Sequence, residues 1–328
     1  MAHQIVLMKD GKKRNITQLI GSLAWSSNID ALGVELSFNY AFNDSLYFED
    51  LDLVEVGDQI ALLNGSRFIG YFIVINSSVS GRFGKTFTCF DRAWYLNKNE
   101  TVIQFKRVSA SQAIAKLLDK FRINHKIASM PTSIKKIYKD MTVGDIILDI
   151  LDQVQQETGV KYQLEMERDV LSIMKQGDLT IKPMIRLSDN NPEFPVTATV
   201  SVLSRSRSIE EMKNNVLVVA DGEESVKVYT QAADKNSTAR YGQLTEVVTL
   251  DQKNASQARN IAANTLMQLN RVGETVSCEL LGHDDIRAGR VLELDEPVTG
   301  TTGNYLIKSA NHTVNNGIHR VAVELEAI

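Results

Sequence analysis

Two stretches of the sequence repeat each other and decide the fold. Residues 57–74 read GDQIALLNGSRFIGYFIV, and residues 289–307 read GRVLELDEPVTGTTGNYLI. Each begins with a glycine, continues with alternating apolar residues, turns, and reaches a second glycine before another apolar run. Alternation with a period of two is the pattern of a half-buried β-strand. The chain is therefore predicted to contain two similar β-modules, one near each end.

The two copies align in their glycines and apolar positions. The aligned positions, in order, are Gly57, Ile60, Leu62, Gly70, Phe72, Ile73 and Val74 in the first copy and Gly289, Leu292, Leu294, Gly303, Tyr305, Leu306 and Ile307 in the second. Elsewhere the copies share little. This pattern is typical of modules that have the same backbone role but different neighbours.

Composition excludes several classes of protein. A chain of 328 residues exceeds the size at which single cores tend to split, so two or three domains are expected. With 43% hydrophobic and 23% charged residues, the chain is predicted to be folded. The net charge of −4 and the absence of a strongly basic tract argue against a protein that binds nucleic acid through phosphate contacts.

Targeting segments and disulfides are not expected. Residues 1–15 lack the apolar region of a signal peptide, and the longest apolar run, residues 71–75, is too short to span a bilayer. The two cysteines, Cys89 and Cys278, alternate with apolar strand residues, so both are predicted to be buried thiols. We expect the chain to be made in a reducing cytoplasm.

Residues 1–96 are predicted to form the first β-module. Strands are expected at 32–40, 54–63, 68–75 and 86–90, separated by turns rich in Gly, Asn and Ser, including one at 80–84. Short strands with such turns are typical of a small antiparallel barrel or sandwich.

Residues 97–185 are predicted to be an inserted α+β domain. Ser109 and Gln112 have the spacing of a capping box in front of an apolar stripe of helical period. Thr142 begins a second such stripe, and Gly159 is placed to end it. A hairpin is expected from strands at 162–167 and 170–175.

Residues 186–328 are predicted to hold a linker and the second β-module. Residues 186–210 contain Pro192 and Pro195 and are expected to be extended. A hairpin of 215–220 and 225–230 is expected around Asp221-Gly222, and polar residues 231–240 are predicted to be a mobile loop. An Ala-rich helix at about 255–269 is expected to pack on a sheet. Strands follow at 276–280, 290–294 and 305–310, and the last pair turns at Asn316-Gly317.

The predicted fold class is therefore α+β and mainly β. It comprises two similar small antiparallel β-barrel-like modules, at 1–96 and 186–328, and the α+β domain inserted between them. Because β-units lie near both ends, we expect no appended enzyme domain.

Two glycine-containing stretches resemble nucleotide-binding loops only superficially. Gly84-Lys85-Thr86 resembles the end of a Walker A loop, but Val79 occupies the position of its first glycine, and a strand follows where a helix is required. Gly300 to Gly303 lies between two strands and carries no lysine. Both are predicted to be hairpin segments.

The histidines are the remaining candidates for metal ligands. Of His3, His125, His283, His312 and His319, the last two are expected on one face of the final hairpin. Zinc needs a third ligand, and the nearby candidates in sequence are His283, Asp284 and Asp285. We predict no metal site and expect half-buried histidines that hydrogen-bond to neighbouring strands.

Two further pairs of residues are candidates for functional sites. Asp91-Arg92, beside Trp94 and Tyr95, fits a binding patch or an anchor for the strand end, and the anchor is favoured. Glu165 and Glu167 lie on one strand face, where paired carboxylates can act as acid and base, but they are predicted to be solvated. With no signature of a nucleophile or base, the chain is predicted not to be an enzyme and to need no cofactor.

The order of these segments resembles a known family. The segments on which the resemblance rests are, in order, 91–96 (DRAWYL), 109–114 (SASQAI), 142–147 (TVGDII), 211–216 (EMKNNV), 241–244 (YGQL) and 303–307 (GNYLI), followed by His312 and 317–319 (GIH). This series resembles the XkdQ-like tail proteins of PBSX-type prophages and the wider group of baseplate hub proteins of contractile tails.

The resemblance implies a structural role. It implies a homotrimeric baseplate hub in which three chains supply six β-modules, so that a pseudo-sixfold ring joins the tail tube to the central spike. Other baseplate proteins and the tape-measure protein would be partners, in a virion or phage-tail-like particle assembled in the bacterial cytoplasm. No catalytic residue, cofactor, metal or specific nucleic-acid contact is implied. The alternative is a tail component that binds or degrades cell-wall glycan through residues 97–185.

Overall fold

The largest sheet of the protein is built from strands at both ends of the chain. The computed structural model describes residues 3–41, 53–80, 84–181, 201–220, 228–250, 252–296 and 300–328. Within them, one 13-stranded sheet contains both repeated stretches. The other strands of the described residues form four smaller sheets.

The first module contributes seven strands. They are β1 (His3–Lys9), β2 (Lys12–Asn15), β3 (Ile20–Asn28), β4 (Glu35–Ala41), β5 (Gln59–Asn64), β6 (Arg67–Ser80) and β7 (Gly84–Phe90), with a 3₁₀ turn at Thr17–Leu19. Their order in the sheet is β3-β4-β7-β6-β5-β1-β2. Alternate residues face an apolar core, as Leu36, Phe38 and Tyr40 do in β4.

A 3₁₀ helix, Arg92–Asn97, leads from the sheet into the helical insert. The insert consists of β8 (Glu100–Gln104), β9 (Val108–Ser109), α1 (Ala110–Lys120), β10 (His125–Ile127), β11 (Ser133–Ile134), β12 (Ile137–Thr142), α2 (Val143–Thr158), β13 (Tyr162–Glu167) and β14 (Val170–Lys175). Its core is an apolar cluster of its own, formed mainly by the two helices.

Local sequence signals set the helix ends of the insert. The side chains of Ser109 and Gln112 form the predicted capping box at the start of α1. Thr142 caps α2, and Gly159 ends it in the left-handed conformation with φ 74°. The two helices and the β13–β14 hairpin are therefore confirmed.

The rest of the chain completes the large sheet and adds a small unit. The elements are β15 (Thr180–Ile181), β16 (Ser201–Ser208), β17 (Asn215–Ala220), β18 (Val228–Ala233), α3 (Lys235–Tyr241), β19 (Thr245–Leu250), a 3₁₀ helix (Gln252–Gln257), α4 (Ala258–Leu269), β20 (Gly273–Leu281), β21 (Val291–Glu296), β22 (Thr301–Asn315) and β23 (Ile318–Ala327). The second module is the run β16-β20-β23-β22-β21, with β15 beside β21.

The predicted Ala-rich helix is present as α4, and it packs on a sheet as expected. β18, β17 and β19 form a separate three-stranded sheet. Ala258, Ile261 and Ala262 of α4 share an apolar cluster with Val216 and Val218 of that sheet. The helix therefore belongs to a small unit between β16 and β20 and not to the core of the second module.

The predicted mobile loop at 231–240 is wrong. β18 continues to Ala233, and α3 follows it. Asp234 caps this helix by accepting hydrogen bonds from the backbone N–H groups of Asn236 and Ser237, and Asn270 donates to its other oxygen at 2.8 Å. This segment is polar because α3 is exposed to solvent, and the hydrogen bonds of its N-cap stabilise it.

Part of the predicted linker at 186–210 is also a strand, β16, within the large sheet. Residues 182–200, the Asp221-Gly222 turn and most of the turn at 80–84 lie outside the described residues. The domain boundaries predicted after residues 96 and 185 stay predictions.

The sequence repeat is reproduced in hydrogen bonds. Gly57 donates its N–H to the carbonyl of Val74 at 2.8 Å, and Gly289 donates to the carbonyl of Ile307 at the same distance. In return, the amides of Val74 and Ile307 donate to the residue after each glycine, at 2.9 and 2.8 Å. Both glycines have positive φ, 96° and 87°. The two stretches thus enter their modules through the same turn.

The register agrees beyond this turn. Leu62 lies opposite Gly70 in the first module, and Leu294 lies opposite Gly303 in the second. Val74 and Ile307 are the hydrogen-bond partners of Gly57 and Gly289. Each is followed by one extra residue, so both modules have a β-bulge at the same place. The orders β3-β4-β7-β6-β5 and β16-β20-β23-β22-β21 are the same, with antiparallel pairs throughout. The predicted fold class is confirmed.

The two glycines should differ in their tolerance of a side chain. A Cβ at Gly57 would have nothing within 4 Å, whereas a Cβ at Gly289 would lie 2.6 Å from the Oε1 atom of Gln163. We expect Gly57→Ala to lower the free energy of unfolding by about 1–2 kcal/mol, because of its positive φ alone. Gly289→Ala should cost more. Urea unfolding of both variants measures the difference.

A second substitution separates strain from overlap. Gln163→Ala removes the atoms that a side chain at residue 289 would meet, so the cost of Gly289→Ala should fall towards that of Gly57→Ala in this background. Equal losses from the two single glycine substitutions would contradict this account.

Candidate functional site: the seam between the two modules

The two modules meet along one antiparallel pair of strands, β3 and β22. Pairing runs from Ser309 opposite Asn28 to Val314 opposite Leu23. We call this pair the seam. β3 is the edge strand of the first module in the order of the sheet, and β22 is the 15-residue strand that lies beside β23 and β21 in the second. The seam therefore makes one continuous sheet of two similar modules.

The strands that correspond to the seam strands present their edges to solvent. By strand order, β16 corresponds to β3 and β6 to β22. β16 ends the sheet, and no described strand pairs with its outer edge. Residues 76–80 of β6 pair with β7 on one side and with no described strand on the other. Val79 in this segment is 56% exposed. An open edge of this kind is a template for pairing with another chain.

An aromatic and histidine cluster fills the seam. Trp25 and His312 lie opposite each other, with their rings stacked at 4.5 Å. The Nε2 atom of His312 lies 2.7 Å from the carbonyl oxygen of Ile286, and its Nδ1 atom lies 2.9 Å from Nε2 of His319. The prediction that the two histidines share a face is confirmed. His312 is buried where a half-buried side chain was expected, and its backbone partner lies in the loop before β21 and not in a strand.

Both imidazoles are neutral at physiological pH. Burial, with the nearby imidazole of His319, lowers the pKa of His312 to about 3. Burial and the neighbouring His3 lower the pKa of His319 to about 4. Neutral imidazoles carry one proton and one lone pair each, so each ring can both donate and accept.

His3 and Asp284 extend this cluster to the start of the chain. Nε2 of His3 lies 2.9 Å from Oδ1 of Asp284, and the side-chain amide of Asn64 donates to Oδ2 at 2.9 Å. Burial alone would raise the pKa of Asp284, but the hydrogen bonds from His3 and Asn64 outweigh it and hold that pKa well below its usual range. Asp284 was one of three candidate partners in the sequence. His3 was missed as a partner because 281 positions separate it from Asp284.

An ion-pair network, buried around Glu165, holds the insert against the loop before β21. Oε1 of Glu165 accepts from Arg287 at 3.2 Å and from Arg290 at 2.7 Å. Arg290 also donates to Asp285 at 3.2 Å, and Asp285 is bound in turn by Arg67 of the first module. The network therefore joins the insert hairpin to both modules.

The prediction that Glu165 is solvated is wrong, because the insert hairpin packs this strand face against the loop before β21. Glu165 is 8% exposed, whereas Glu167, at the end of the strand, is exposed. Since Glu165 is bound to two arginines, it is not available as one of a pair of acid–base carboxylates.

The Asp91-Arg92 pair acts as an anchor, as predicted. Asp91 accepts hydrogen bonds from the N–H groups of Val34 and Ala93, and the second of these caps the 3₁₀ helix that enters the insert. Burial raises the pKa of Asp91 to about 6. Arg92 forms a 3.1 Å ion pair with Asp169 in the β13–β14 turn.

The remaining sequence candidates lie in strands. Lys85 and Thr86 belong to β7, so a strand follows Gly84 as predicted. Gly303 lies within β22, and residues 297–299 of the preceding segment lie outside the described residues. Cys89 and Cys278 are buried, and burial raises their pKa values to about 12 and about 11. Across the described ranges, no helix has the length and apolar character needed to cross a membrane.

Comparison with known proteins identifies the family. A model of the YqbQ-like family matches residues 23–326. The chain belongs to the YqbQ-like family. This confirms the resemblance found in the sequence, since the phage-like element PBSX protein XkdQ of Bacillus subtilis (strain 168) is 25% identical over 246 residues, 73% of this chain and 72% of XkdQ.

Solved structures share the fold of this YqbQ-like chain. The tail protein of Neisseria meningitidis MC58 aligns with a TM-score of 0.70 at 12% identity, covering 99% of this chain and 97% of its own. The 43 kDa tail protein of prophage MuSo2 from Shewanella oneidensis aligns with a TM-score of 0.68 at 11% identity, covering 98% of each chain. At these identities the likeness establishes the fold.

Removal of the Glu165 charge should destabilise the protein strongly. Glu165→Gln leaves Arg287 and Arg290, whose side chains are 14% and 12% exposed, without their shared carboxylate. We expect a loss of about 3 kcal/mol in the free energy of unfolding, since removing one partner of a buried ion pair leaves an uncompensated charge. Denaturant unfolding measures it.

Glu167→Gln is the matched control, because it removes the same charge from an exposed position two residues along the same strand. It should change stability by less than about 0.5 kcal/mol. Equal effects of the two substitutions would contradict the role given to Glu165.

Proposed function

We propose that this protein is a structural component of a phage tail or phage-tail-like particle, in which three copies form a baseplate hub ring. Membership of the YqbQ-like family, with XkdQ of a phage-like element as a relative, supports the tail assignment. The shared fold of two tail proteins is consistent with it.

The observation that carries the ring is the seam. One chain already contains a joint between two modules, β3 against β22. The corresponding edges, the outer edge of β16 and the edge of β6 at residues 76–80, have no described partner strand. Pairing β16 of one copy with β6 of the next repeats the same joint between chains. A joint that repeats head to tail closes into a ring when the rotation permits.

The register of this second joint follows from the first. One bulge residue follows both Val74 and Ile307, so Ser78 occupies the position of Asn311. The strand pairings can be followed from β6 through β7 and β4 to β3, and in the second module from β22 through β23 and β20 to β16. Along these two paths, Ser206 occupies the position in the second module that Ser26 occupies in the first. Asn311 lies opposite Ser26 in the seam. Ser78 of one copy should therefore lie opposite Ser206 of the next.

Three copies would supply six similar modules. Such a ring is threefold by chain and close to sixfold by module, which suits a subunit placed between a sixfold tail tube and a threefold spike. The tube protein, the spike, other baseplate proteins and the tape-measure protein are then its partners. The net charge of −4 suits a ring whose channel does not bind passing DNA through phosphate contacts.

No described contact favours the alternative of a glycan-binding or wall-degrading tail component. In the insert, Glu165 is bound to Arg287 and Arg290, and the apolar faces of α1 and α2 are buried in its core. A structural role without catalysis is the function that the arrangement supports best.

A designed disulfide tests the ring and its register together. In a chain with Ser78→Cys and Ser206→Cys, directly opposed positions should lie about 4.5–5.5 Å apart between Cα atoms, which a disulfide spans. Oxidation of assembled tail particles that carry this variant should give a covalent trimer on denaturing gels without reductant. The native cysteines are buried and should not interfere.

Ser78→Cys with Ser208→Cys is the control, because a shift of two residues places the Cα atoms beyond about 7 Å. Cross-linking of the shifted pair in place of the aligned pair would contradict the register. Monomers alone from both variants within intact particles would contradict the ring.

A further inference from the structure

We propose that His3, Asp284 and His319 form a binding site for a divalent transition-metal ion of the Zn²⁺ class. One ligand atom from each of these side chains lies within 4.8 Å of the other two. Two imidazole nitrogens and one carboxylate oxygen are a ligand set that Zn²⁺ takes in sites with three protein ligands and an open fourth position. No metal site was predicted from the sequence, because it does not place a third ligand beside His312 and His319.

Hydrogen-bond directions leave lone pairs for a metal. The carbonyl of Ile286 can only accept, so Nε2 of His312 carries the proton and its Nδ1 accepts from Nε2 of His319. Nδ1 of His319 then keeps its lone pair. Metal-binding histidines are typically oriented through the other ring nitrogen in this way, and His312 is accordingly a positioning residue.

His3 supplies an independent observation. Its side chain is 2% exposed, and its Nδ1 atom is buried without a hydrogen-bond partner among the described residues. Nε2 of the same ring lies 2.9 Å from Oδ1 of Asp284. When the imidazole proton is on Nδ1, the lone pair of Nε2 faces this carboxylate oxygen, and a cation can bind both atoms.

The surrounding residues shape the site. A Cβ at Gly282 would lie 2.1 Å from Cγ of His319, so glycine at this position makes room for the imidazole. The ring of Trp25 stands 5.0 Å from those of both His3 and His319 and forms an apolar wall. Asn64 holds the second oxygen of Asp284. An apolar wall with an oriented carboxylate is the outer shell expected of a metal centre.

The ligands of this site come from both modules. His3 begins β1 of the first module, whereas Asp284 and His319 come from the loop after β20 and from β23 of the second. A bound ion would therefore clamp the two modules together at the seam. Because these segments come together only in the folded chain, the metal should stabilise the folded state.

The first experiment uses the full chain without a histidine tag, stripped with a chelator and titrated with ZnCl₂. We expect calorimetry to show about one Zn²⁺ per chain, and the unfolding temperature to rise with the concentration of free Zn²⁺. His3→Gln and His319→Gln should abolish stoichiometric binding. His283→Gln should keep it, since this neighbouring histidine is 54% exposed and outside the cluster.

A second readout keeps the proposal testable if the histidine variants fail to fold. Co²⁺ bound to the wild-type chain should give the visible absorption of a four- or five-coordinate site, displaced by Zn²⁺. Asn64→Ala should weaken binding about 10–100-fold without abolishing the spectrum at saturation. Absence of stoichiometric Zn²⁺ binding and of the Co²⁺ spectrum in the wild type would overturn the proposal. So would loss of binding in His283→Gln with binding retained in His319→Gln.

Discussion

The β3–β22 ladder is the interaction on which the rest of the structure depends. Backbone N–H and C=O groups at a strand edge must find partners, and here the edge of one module satisfies the edge of the other. This pairing turns two small β-modules into one sheet. It also leaves the corresponding edges, on β16 and β6, at the outside of the molecule.

The contacts around the seam explain how the insert stays fixed to a two-module sheet. Trp25 and His312 stack across the seam, and the loop before β21 carries Arg287 and Arg290 to Glu165 of the insert. Asp91 fixes the segment where the chain leaves the first module, because it accepts hydrogen bonds from the backbone on both sides of that exit. The insert is therefore held by buried polar contacts in addition to its chain connection.

Local signals in the sequence predicted much of the fold. Gly57 and Gly289 marked the repeat because their turn requires positive φ, and the caps at Ser109 and Thr142 set the helix starts. The strong alternation of 162–167 and 170–175 placed the hairpin to the residue. These features depend on neighbours within a few positions, so their pattern is visible in the chain.

Contacts between distant segments were not predictable in the same way. Glu165 was expected in solvent because its arginine partners lie more than a hundred positions away. Nothing in the sequence indicated that His3 would contact Asp284. The polar composition around α3 did not indicate a helix, because this helix is stabilised at its start by Asp234, which Asn270 binds from a distant position. Of the candidate metal ligands, the sequence pointed to His319 and Asp284, and the fold supplied His3.

The central claim is that the seam within one chain is repeated between chains. Electron cryomicroscopy of the intact tail particle tests it most directly, at a resolution that separates strands. The account predicts three copies in a closed ring, with β16 of each copy antiparallel to residues 76–80 of the next. A ring joined through other surfaces, or this subunit as isolated copies at the periphery, would contradict it.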